Sequence, residues 1–453
     1  MKIKKNIVFI IVAAVLVAAA VLVPSFRVNG HRQNAVEEER KDTVYLNKVL
    51  TNGMSDVRAL EKMDAKIERY MQYWHIHGAQ LAVMRGDSLL YCKGYGIADD
   101  SLCLFCETGD STVNGRKVGM PVEMTPGHIM RVASVSKLIT AAGIMKLQEE
   151  GLLHLTDTVF GPHGILSDTL YTETIRDMKD YSKITVEHLL RHQAGFRRDP
   201  VFSANDVRAQ LGLDCPPTLD DYSRVVLSRR LRYEPGESQT YSNYGYMLLS
   251  RIIEVVSGTG YEDYIQTHVL HPAGCYDMHI AGNYYRDKRP NESRYFVHEG
   301  SGKEVQEYNG SGRMVERCYG GNDINLLSGA GAWVCSAAEL ARFVASIDYD
   351  PEVEDILSKE SVDLMTEYTD SSKYSLGWND TNPRKGWVRT GTLAGTNALI
   401  KYFPDGECWI WLTNTSTWKG PSHAKYTSTL FDRLRSDYSA KLPVQNLFEP
   451  QKQ

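Results

Sequence analysis

Positive charge and cysteine are both scarce in this sequence. Its 51 lysines and arginines are outnumbered by 56 aspartates and glutamates, which gives a formal net charge of −5 at pH 7. Nucleic-acid binding needs clustered cations, so this balance argues against a nucleic-acid partner. Eight cysteines in 453 residues are too few for a scaffold built on disulfides. The 42% of apolar and 24% of charged residues are typical of a large globular protein.

Long apolar runs are also missing, with one exception at the N-terminus. Lys2, Lys4 and Lys5 precede an uninterrupted apolar segment at residues 7–23. Basic residues followed by an apolar stretch and then by polar sequence are typical of an export signal or a membrane anchor. We expect residues 1–30 to be a cleaved signal peptide or, preferentially, a retained anchor. Either one places the body outside the cytoplasm, in the periplasm or at the cell surface.

The spacing of apolar residues outlines the remainder of the chain. Residues 31–54 are polar and predict a tether, and residues 441–453 predict a tail. A helical period begins at Ser55 and is followed by two strands of a hairpin within residues 80–95. Further strand patterns return after Ser375. Strands therefore lie at both ends of the body, with helices between them.

This order of elements predicts one domain at residues 55–440. An α/β lobe would combine residues 55–140 with 326–440, and a helical lobe would span residues 141–325. The predicted fold class is α/β (α+β), an antiparallel sheet flanked by helices with an inserted helical subdomain. The sequence contains no internal repeat.

The first motif that could carry chemistry is S-x-x-K at Ser134 and Lys137. Residues three apart share one helix face, so the Lys137 amine can lie beside the Ser134 hydroxyl and activate it as a nucleophile. The same pattern recurs at residues 416–419 and 422–425, where we expect surface positions. Only the first copy opens the most apolar helix of the body, where backbone N–H groups favour an oxyanion. A serine there could also be a simple helix cap.

Two further motifs follow along the chain. Tyr241 and Asn243 belong to a Tyr-Ser-Asn segment, in which a tyrosine with a lowered pKa could be a base and the amide could bind substrate. The alternative is a buried tyrosine beside a helix cap. Arg389-Thr390-Gly391 lies on a predicted strand, where the cation could hold a substrate carboxylate and the glycine could allow close approach. The alternative is an edge strand with a solvated arginine.

With these three motifs in this order, the chain resembles the serine β-lactamase and penicillin-binding-protein family, and most of all its class C-like branch. The resemblance covers approximately residues 62–438 and includes the flanking segments 188–195, 235–236, 329–333 and 376–378. It implies a β-lactamase/transpeptidase-like fold with the site in the cleft between the two lobes. The sequence has no G-x-S-x-G elbow, so the α/β-hydrolase route to an acyl-enzyme has no support.

The resemblance also implies a role for each motif residue. Ser134 would be the acylated nucleophile, Lys137 its activating partner, and Tyr241 the base that moves protons to the leaving group and from water. The backbone N–H groups of Ser134 and Thr392 would form the oxyanion hole. The residues implied in substrate binding are Asn243, Arg389, Thr390 and Gly391.

One position departs from the family pattern. Arg389 stands where the family usually has lysine or histidine. Arginine is larger, forked and always protonated, so it can bind a carboxylate but would crowd a β-lactam. We therefore expect slow β-lactam turnover at best.

These features predict an exported serine hydrolase that acts on amide or ester bonds. Candidate substrates are D-Ala or other D-amino-acid peptides, including cell-wall peptides, as well as β-lactams and small esters. The alternative is a membrane-tethered penicillin-binding sensor or a catalytically inactive binding domain. The N-terminal segment would provide the contact with the membrane.

No metal and no cofactor are expected. His188 and His192 are four residues apart and could share a helix face, as zinc ligands do, but they form no H-E-x-x-H motif. Cys103 and Cys106 lack a second cysteine pair, which favours a local disulfide or free thiols.

Overall fold

A computed structural model describes residues 44–100, 112–113, 116–117, 121–350, 354–369 and 373–449. Residues Tyr45–Gln453 form one compact unit, which contains the helices and strands of these described residues. The expected signal or anchor at residues 7–23 and the Cys103–Cys106 pair lie outside the described residues. In the described part of the chain, no helix combines the length and the apolar character needed to cross a bilayer.

The strands are short except for five long ones near the two ends of the unit. In chain order they are β1 Gly78–Arg85, β2 Ser88–Asp99, β3 Thr112–Val113, β4 Arg116–Lys117, β5 Val122–Glu123, β6 Met130–Arg131, β7 His279–Ile280, β8 Phe296–Val297, β9 Glu304–Gln306, β10 Met314–Glu316, β11 Trp333–Cys335, β12 Trp387–Leu393, β13 Thr396–Tyr402, β14 Glu407–Thr413 and β15 Thr415–Ser416.

The helices occupy the middle of the chain and the two ends of the unit. In chain order they are α1 Leu46–Val49, α2 Glu61–Trp74, α3 Ser136–Glu149, α4 Thr169–Thr174, α5 Met178–Tyr181, α6 Val186–Leu190, α7 Ala204–Leu211, α8 Leu219–Leu227, α9 Asn243–Ser257, α10 Tyr261–Ile265, α11 Ser328–Gly331, α12 Ala337–Ala345, α13 Lys359–Thr366 and α14 His423–Tyr438.

Six strands form the main sheet in the order β12-β13-β14-β1-β2-β5. Each neighbouring pair is antiparallel, with Leu81 opposite Trp411 in the β1–β14 pair. The β13–β14 turn places Gly406 at a φ of 83°, a conformation that glycine adopts without a steric penalty. Strands from both ends of the chain thus meet at the centre of the sheet, which confirms the predicted antiparallel α/β class.

Helices cover both faces of this sheet. On one face, α2 and α14 bury a cluster that includes Met63, Ile67, Leu81, Val83, Trp409, Trp411, Phe431 and Leu434. The opposite face belongs to the larger core, which includes Ala82, Met84, Leu138, Ile139, Ile400 and Ile410. Burial of these apolar faces against helices is the main favourable term in the folding of this unit. On this face α12 packs directly against β1, β2 and β14, whereas the apolar helix α3, which follows Ser134, packs against α9 and α11.

The ends of the body differ from the prediction. The described part of the expected tether carries α1, and Leu46 and Leu50 are buried in the larger core. Leu447 and Phe448 of the expected tail are also buried there, and Leu447 N donates to Leu89 O at 2.8 Å. Isolated apolar residues in polar surroundings gave no periodic signal, so only their tertiary partners reveal their place. The body therefore extends in both directions beyond residues 55–440.

Candidate active site

Ser134 lies in a 3-10 turn, Ala133–Val135, that leads directly into α3. Ala133 has a φ of 49°, a left-handed conformation that costs a residue with a Cβ roughly 1–3 kcal/mol. Gly391 of β12 lies against this turn, because a Cβ placed there would be 2.1 Å from Val132 O. The strained turn and the strand behind it present a half-buried Ser134 side chain at the start of the helix.

Lys137 is buried beside Ser134, with 0% of its surface exposed. Its Nζ donates to Asn243 Oδ1 at 2.8 Å and to Ala330 O at 2.5 Å, and it lies 3.4 Å from Ser134 Oγ. Burial lowers the pKa of Lys137 below its ordinary value; Tyr241 counteracts this in part and Arg389 adds to it. A lysine with a lowered pKa gives up its proton to a neighbouring group more readily than an exposed lysine does.

Tyr241 completes a chain of proton-bearing groups around Ser134. Its hydroxyl donates to Ser134 Oγ at 2.7 Å, and Lys137 Nζ lies 4.8 Å from the centre of its ring. Burial raises the pKa of Tyr241, but the two neighbouring cations Lys137 and Arg389 outweigh this and lower the pKa below its usual value. The arrangement can therefore produce a phenolate that accepts the proton of Ser134.

Tyr241 and Asn243 are positioned by the start of α9. Ser242 caps this helix by accepting a hydrogen bond from Gly245 N at 3.0 Å. The side chain of Asn243 then lies within reach of Lys137, to which its Oδ1 is bonded. Asp199 adds an exposed carboxylate at the same helix end, where Oδ2 accepts from Asn243 N at 2.5 Å.

Arg389 differs from its predicted role. The residue is 1% exposed, and its Nε donates to the backbone oxygen of Ser134 at 2.8 Å. Its Nη2 donates to the same oxygen. The guanidinium is thus bound to the protein backbone, rather than open to a substrate carboxylate as the motif suggested. The reason is the length of the arginine side chain, which reaches across Gly391 to the serine turn.

The other residues of the third motif also contact the protein itself. Thr390 N and Oγ1 both donate to Asn379 Oδ1, at 2.8 and 3.1 Å. Gly391 was expected to admit a ligand, whereas the group that approaches it is the chain at Val132 and Ser134.

The backbone of β12 nevertheless favours an oxyanion site at Thr392. Val388 N donates to Asp380 O and Thr390 N to Asn379, so both N–H groups point away from β13. N–H directions alternate along an antiparallel strand, which turns the Thr392 N–H towards the same open edge. The site residues expected from the sequence therefore lie together, although Arg389, Thr390 and Gly391 contact the protein instead of open space.

His192 is a site neighbour for which the sequence suggested a different interpretation. It is 3% exposed, its ring centre lies 4.5 Å from that of Tyr241, and its Nδ1 accepts from Ser242 N at 3.1 Å. Burial, together with Lys137 and Arg389, holds the pKa of His192 well below its ordinary value, so the imidazole is neutral. Its role is to pack against the Tyr241 ring.

Four site contacts were missed from the sequence: those of Asp199, His192, Ala330 and Asn379. His192 lies within the 188–195 segment and Asp199 follows it closely, so that segment was the available signal for both. Ala330 lies in the 329–333 segment but contributes only a backbone oxygen, and Asn379 directly follows the 376–378 segment. Within the described ranges, no group of three or more histidine, cysteine, aspartate or glutamate residues could hold a metal ion.

Comparison with known proteins assigns this chain to a family. A model of the Beta-lactamase family fits residues 63–428 of the chain. The chain belongs to the Beta-lactamase family. The resemblance suggested by the three motifs is thereby confirmed, and the Beta-lactamase match begins within α2 and ends within α14.

Among curated proteins, this Beta-lactamase family member is similar to Protein flp of Staphylococcus aureus strain MW2. The two are 25% identical over 350 residues, which cover 76% of this chain and 60% of the relative. The match thus covers less than two thirds of the relative's length.

Two solved structures share the fold. The octameric penicillin-binding protein homologue from Pyrococcus abyssi has a TM-score of 0.58 at 23% identity, covering 83% of this chain and 77% of that one. The D-amino acid amidase from Ochrobactrum anthropi SV3 has a TM-score of 0.58 at 18% identity, covering 87% of this chain and 99% of the other. At these identities the likeness supports the fold alone.

Proposed function

We propose that this protein is a serine hydrolase that forms an acyl-enzyme at Ser134. The observation that carries the proposal is the 2.7 Å contact between the Tyr241 hydroxyl and Ser134 Oγ, with the buried Lys137 on the other side of the serine. A nucleophile within hydrogen-bond reach of a base, which is itself held by a cation, is the arrangement that nucleophilic catalysis requires.

The acylation step follows from these contacts. Tyr241, as a phenolate stabilised by Lys137 and Arg389, takes the proton of Ser134 Oγ while that oxygen attacks the substrate carbonyl. The N–H groups of Ser134 and Thr392 stabilise the oxyanion. Tyr241 then gives its proton to the leaving amine or alcohol, and the carbon–heteroatom bond breaks.

Deacylation uses the same groups in the reverse order. Tyr241 removes a proton from water as the water attacks the acyl carbon, and it returns that proton to Ser134 Oγ when the acid leaves. Lys137 stays bonded to Asn243 and Ala330, and these two hydrogen bonds keep its amine beside Ser134 Oγ while the proton moves. No cofactor enters either step.

The proposed substrate is an amide or ester, with D-amino-acid amides and peptides as the first class to test. Family membership supports acyl transfer in general, and the likeness to a D-amino acid amidase suggests this class. Asn243 would bind the acyl-side amide of the substrate.

We further propose that the enzyme works outside the cytoplasm. The basic start and the apolar run at residues 7–23 support export with a retained anchor. Fractionation of cells that express the full chain or a chain lacking residues 1–30 tests this proposal. Recovery of the full chain in the cytosolic fraction, at its unprocessed mass, would contradict both export and anchoring.

Intact-mass spectrometry tests the acyl-enzyme. The wild type and Ser134→Ala are each incubated with a fluorescent penicillin and with an activated ester. A Ser134-dependent adduct or turnover with at least one probe is expected, and its absence with both would exclude the hydrolase. A persistent adduct without turnover would indicate a penicillin-binding sensor instead.

A further inference from the structure

The cations of this site are turned inwards. Both donors of Arg389 that reach Ser134 bind its carbonyl oxygen, and the residue is 1% exposed. Lys137 is fully buried and bonded to Asn243 and Ala330. Neither side chain can move towards a ligand without breaking hydrogen bonds in a buried region, which is costly for a charged group.

The exposed charge beside the site has the opposite sign. Asp199 is exposed, and its carboxylate accepts from Asn243 N, Tyr244 N and Val201 N. Asn243, whose backbone N–H it binds, also holds Lys137 through Oδ1 at 2.8 Å, so Asp199 is one residue away from the buried amine. A carboxylate that enters next to Asn243 would therefore meet the Asp199 anion at the surface, while Lys137 and Arg389 are buried.

One exposed cation lies further out. Lys373 Nζ is 5.1 Å from the ring centre of Tyr374, and that ring lies 5.7 Å from the ring of Tyr241. Lys373 is thus separated from Ser134 by two aromatic rings. Lys373 is therefore a surface cation that does not contact the reacting atoms, and its effect on substrate choice is tested below.

We propose that this site selects substrates whose leaving group carries no carboxylate, namely amides and esters with a neutral leaving group, and that Arg389 is a positioning residue for the Ser134 turn. The inference rests on the proposed acyl-enzyme function. It separates two substrate classes, since carboxypeptidase substrates and β-lactams carry a carboxylate whereas amino-acid amides do not. The strained Ala133 explains why a turn-holding contact is needed beside the nucleophile.

A matched pair of esters tests the selection. The 3-carboxyphenyl and 3-carbamoylphenyl esters of phenylacetylglycine share one scissile bond and differ by one charge on the leaving group. After correction for their rates of hydroxide hydrolysis, we expect kcat/KM for the carbamoyl ester to be at least about tenfold higher, because the carboxylate would lose hydrogen bonds to water without gaining a charged partner in the site. An equal or higher value for the carboxylate ester would overturn the inference and leave the acyl-enzyme proposal intact.

Variants distinguish positioning from simple loss of charge. Arg389→Lys removes the forked contact with Ser134 O and supplies a compact cation, so activity should fall while the carboxylate-to-carbamoyl ratio of kcat/KM rises about tenfold. Arg389→Gln should lower both activities without raising this ratio. Asp199→Asn should raise the ratio about threefold, since it removes a like charge at the surface.

One control variant and two further measurements cover the remaining outcomes of this test. Lys373→Met should leave the ratio unchanged, and a fall in the ratio would show that Lys373 binds carboxylates, which contradicts the proposal. Thermal unfolding of each variant identifies those that fail to fold. If the wild type turns over neither ester, the two esters are compared as competitors that protect Ser134 from labelling by an activated ester. Stronger protection by the carboxyphenyl ester would overturn the inference. If Ser134 is not labelled at all, the acyl-enzyme proposal fails and this inference fails with it.

Discussion

Residues 134–137 and residues 416–419 carry the same serine and lysine at the same spacing, but the fold gives the two lysines opposite surroundings. Lys137 is buried among Asn243, Ala330 and Tyr241, whereas Lys419 is exposed. Ser416, which was expected at the surface, is instead buried in β15, where its Oγ accepts from Gly395 N at 3.1 Å. The comparison shows that the spacing provides a serine and a lysine, whereas burial of the lysine against a tyrosine makes the pair suitable for nucleophilic catalysis.

The largest expected effect is the loss of the nucleophile. Ser134→Ala should lower turnover of an activated ester at least about ten-thousandfold, because no other group can form the acyl-enzyme. Ser416→Ala is the matched control and should change kcat by less than about twofold. Steady-state kinetics on both variants checks this, and equal losses would remove the distinction between the two copies.

Loss of the lysine should be the next largest effect. Lys137→Met removes the cation that lowers the pKa of Tyr241, so kcat should fall about a hundredfold to ten-thousandfold. Lys419→Met replaces an exposed side chain, and we expect wild-type kinetics from it. A full activity of Lys137→Met would mean that Tyr241 acts without this neighbour.

The pH profile sharpens the same contrast. If Tyr241 must be a phenolate, kcat/KM falls as the pH drops below its pKa. Arg389 lowers the pKa of both Tyr241 and Lys137, so Arg389→Gln should shift the acidic limb of the profile to higher pH. A residual limb at the wild-type position would show that Arg389 acts only through the Ser134 turn.

Glu339 tests whether burial alone creates a functional group. It is 2% exposed, and burial raises its pKa to about 7, although Tyr276 N and Asp277 N donate to it. Because this pKa is raised in the folded state, its stabilising contribution is complete below the unfolded value and is lost as the pH rises through 7. Glu339→Gln should therefore raise the free energy of unfolding at pH 9 by roughly 2 kcal/mol and leave kcat unchanged.

The substitution of Glu339 also affects its neighbour Asn47. Its Nδ2 donates to Glu339 Oε2 at 3.0 Å, while in the described part of the chain its buried Oδ1 has no hydrogen-bond partner. Asn47 Nδ2 also donates to Asp277 Oδ2 at 2.9 Å, which keeps the amide in this orientation, so the expected gain at pH 9 includes the loss of the Asn47–Glu339 hydrogen bond. Urea unfolding at pH 5 and pH 9 measures the effect, and an equal difference at both values would contradict the titration of Glu339.

Much of the fold could be predicted from local patterns. The β1–β2 hairpin, the strands β12 to β14 and the helix after Ser134 follow from alternation, turn residues and apolar spacing. The packed ends around Leu46 and Phe448 could not, because a few apolar residues in a polar segment have no period. Their burial is decided by partners that are distant in sequence.

The candidate site divides in the same way. Its residue types and their order were readable, because nucleophile, amine and phenol each need a particular side chain. The contacts of Asp199 and Asn379 could not be predicted, although both residues follow flanking segments of the resemblance, since each acts through a hydrogen bond to a separate segment, at Asn243 and Thr390. No local rule links those positions.

By itself, the sequence determined which groups are available: one serine and lysine on one helical face, a tyrosine before a second helix, and an arginine on a strand. Only the tertiary structure decided which way Arg389 points, because its partner is the backbone of Ser134, 255 residues earlier. A motif specifies a side chain, but a buried charge needs a hydrogen-bond acceptor, and the packed fold decides which acceptor lies within its reach. That choice turns a predicted carboxylate anchor into a support for the nucleophile.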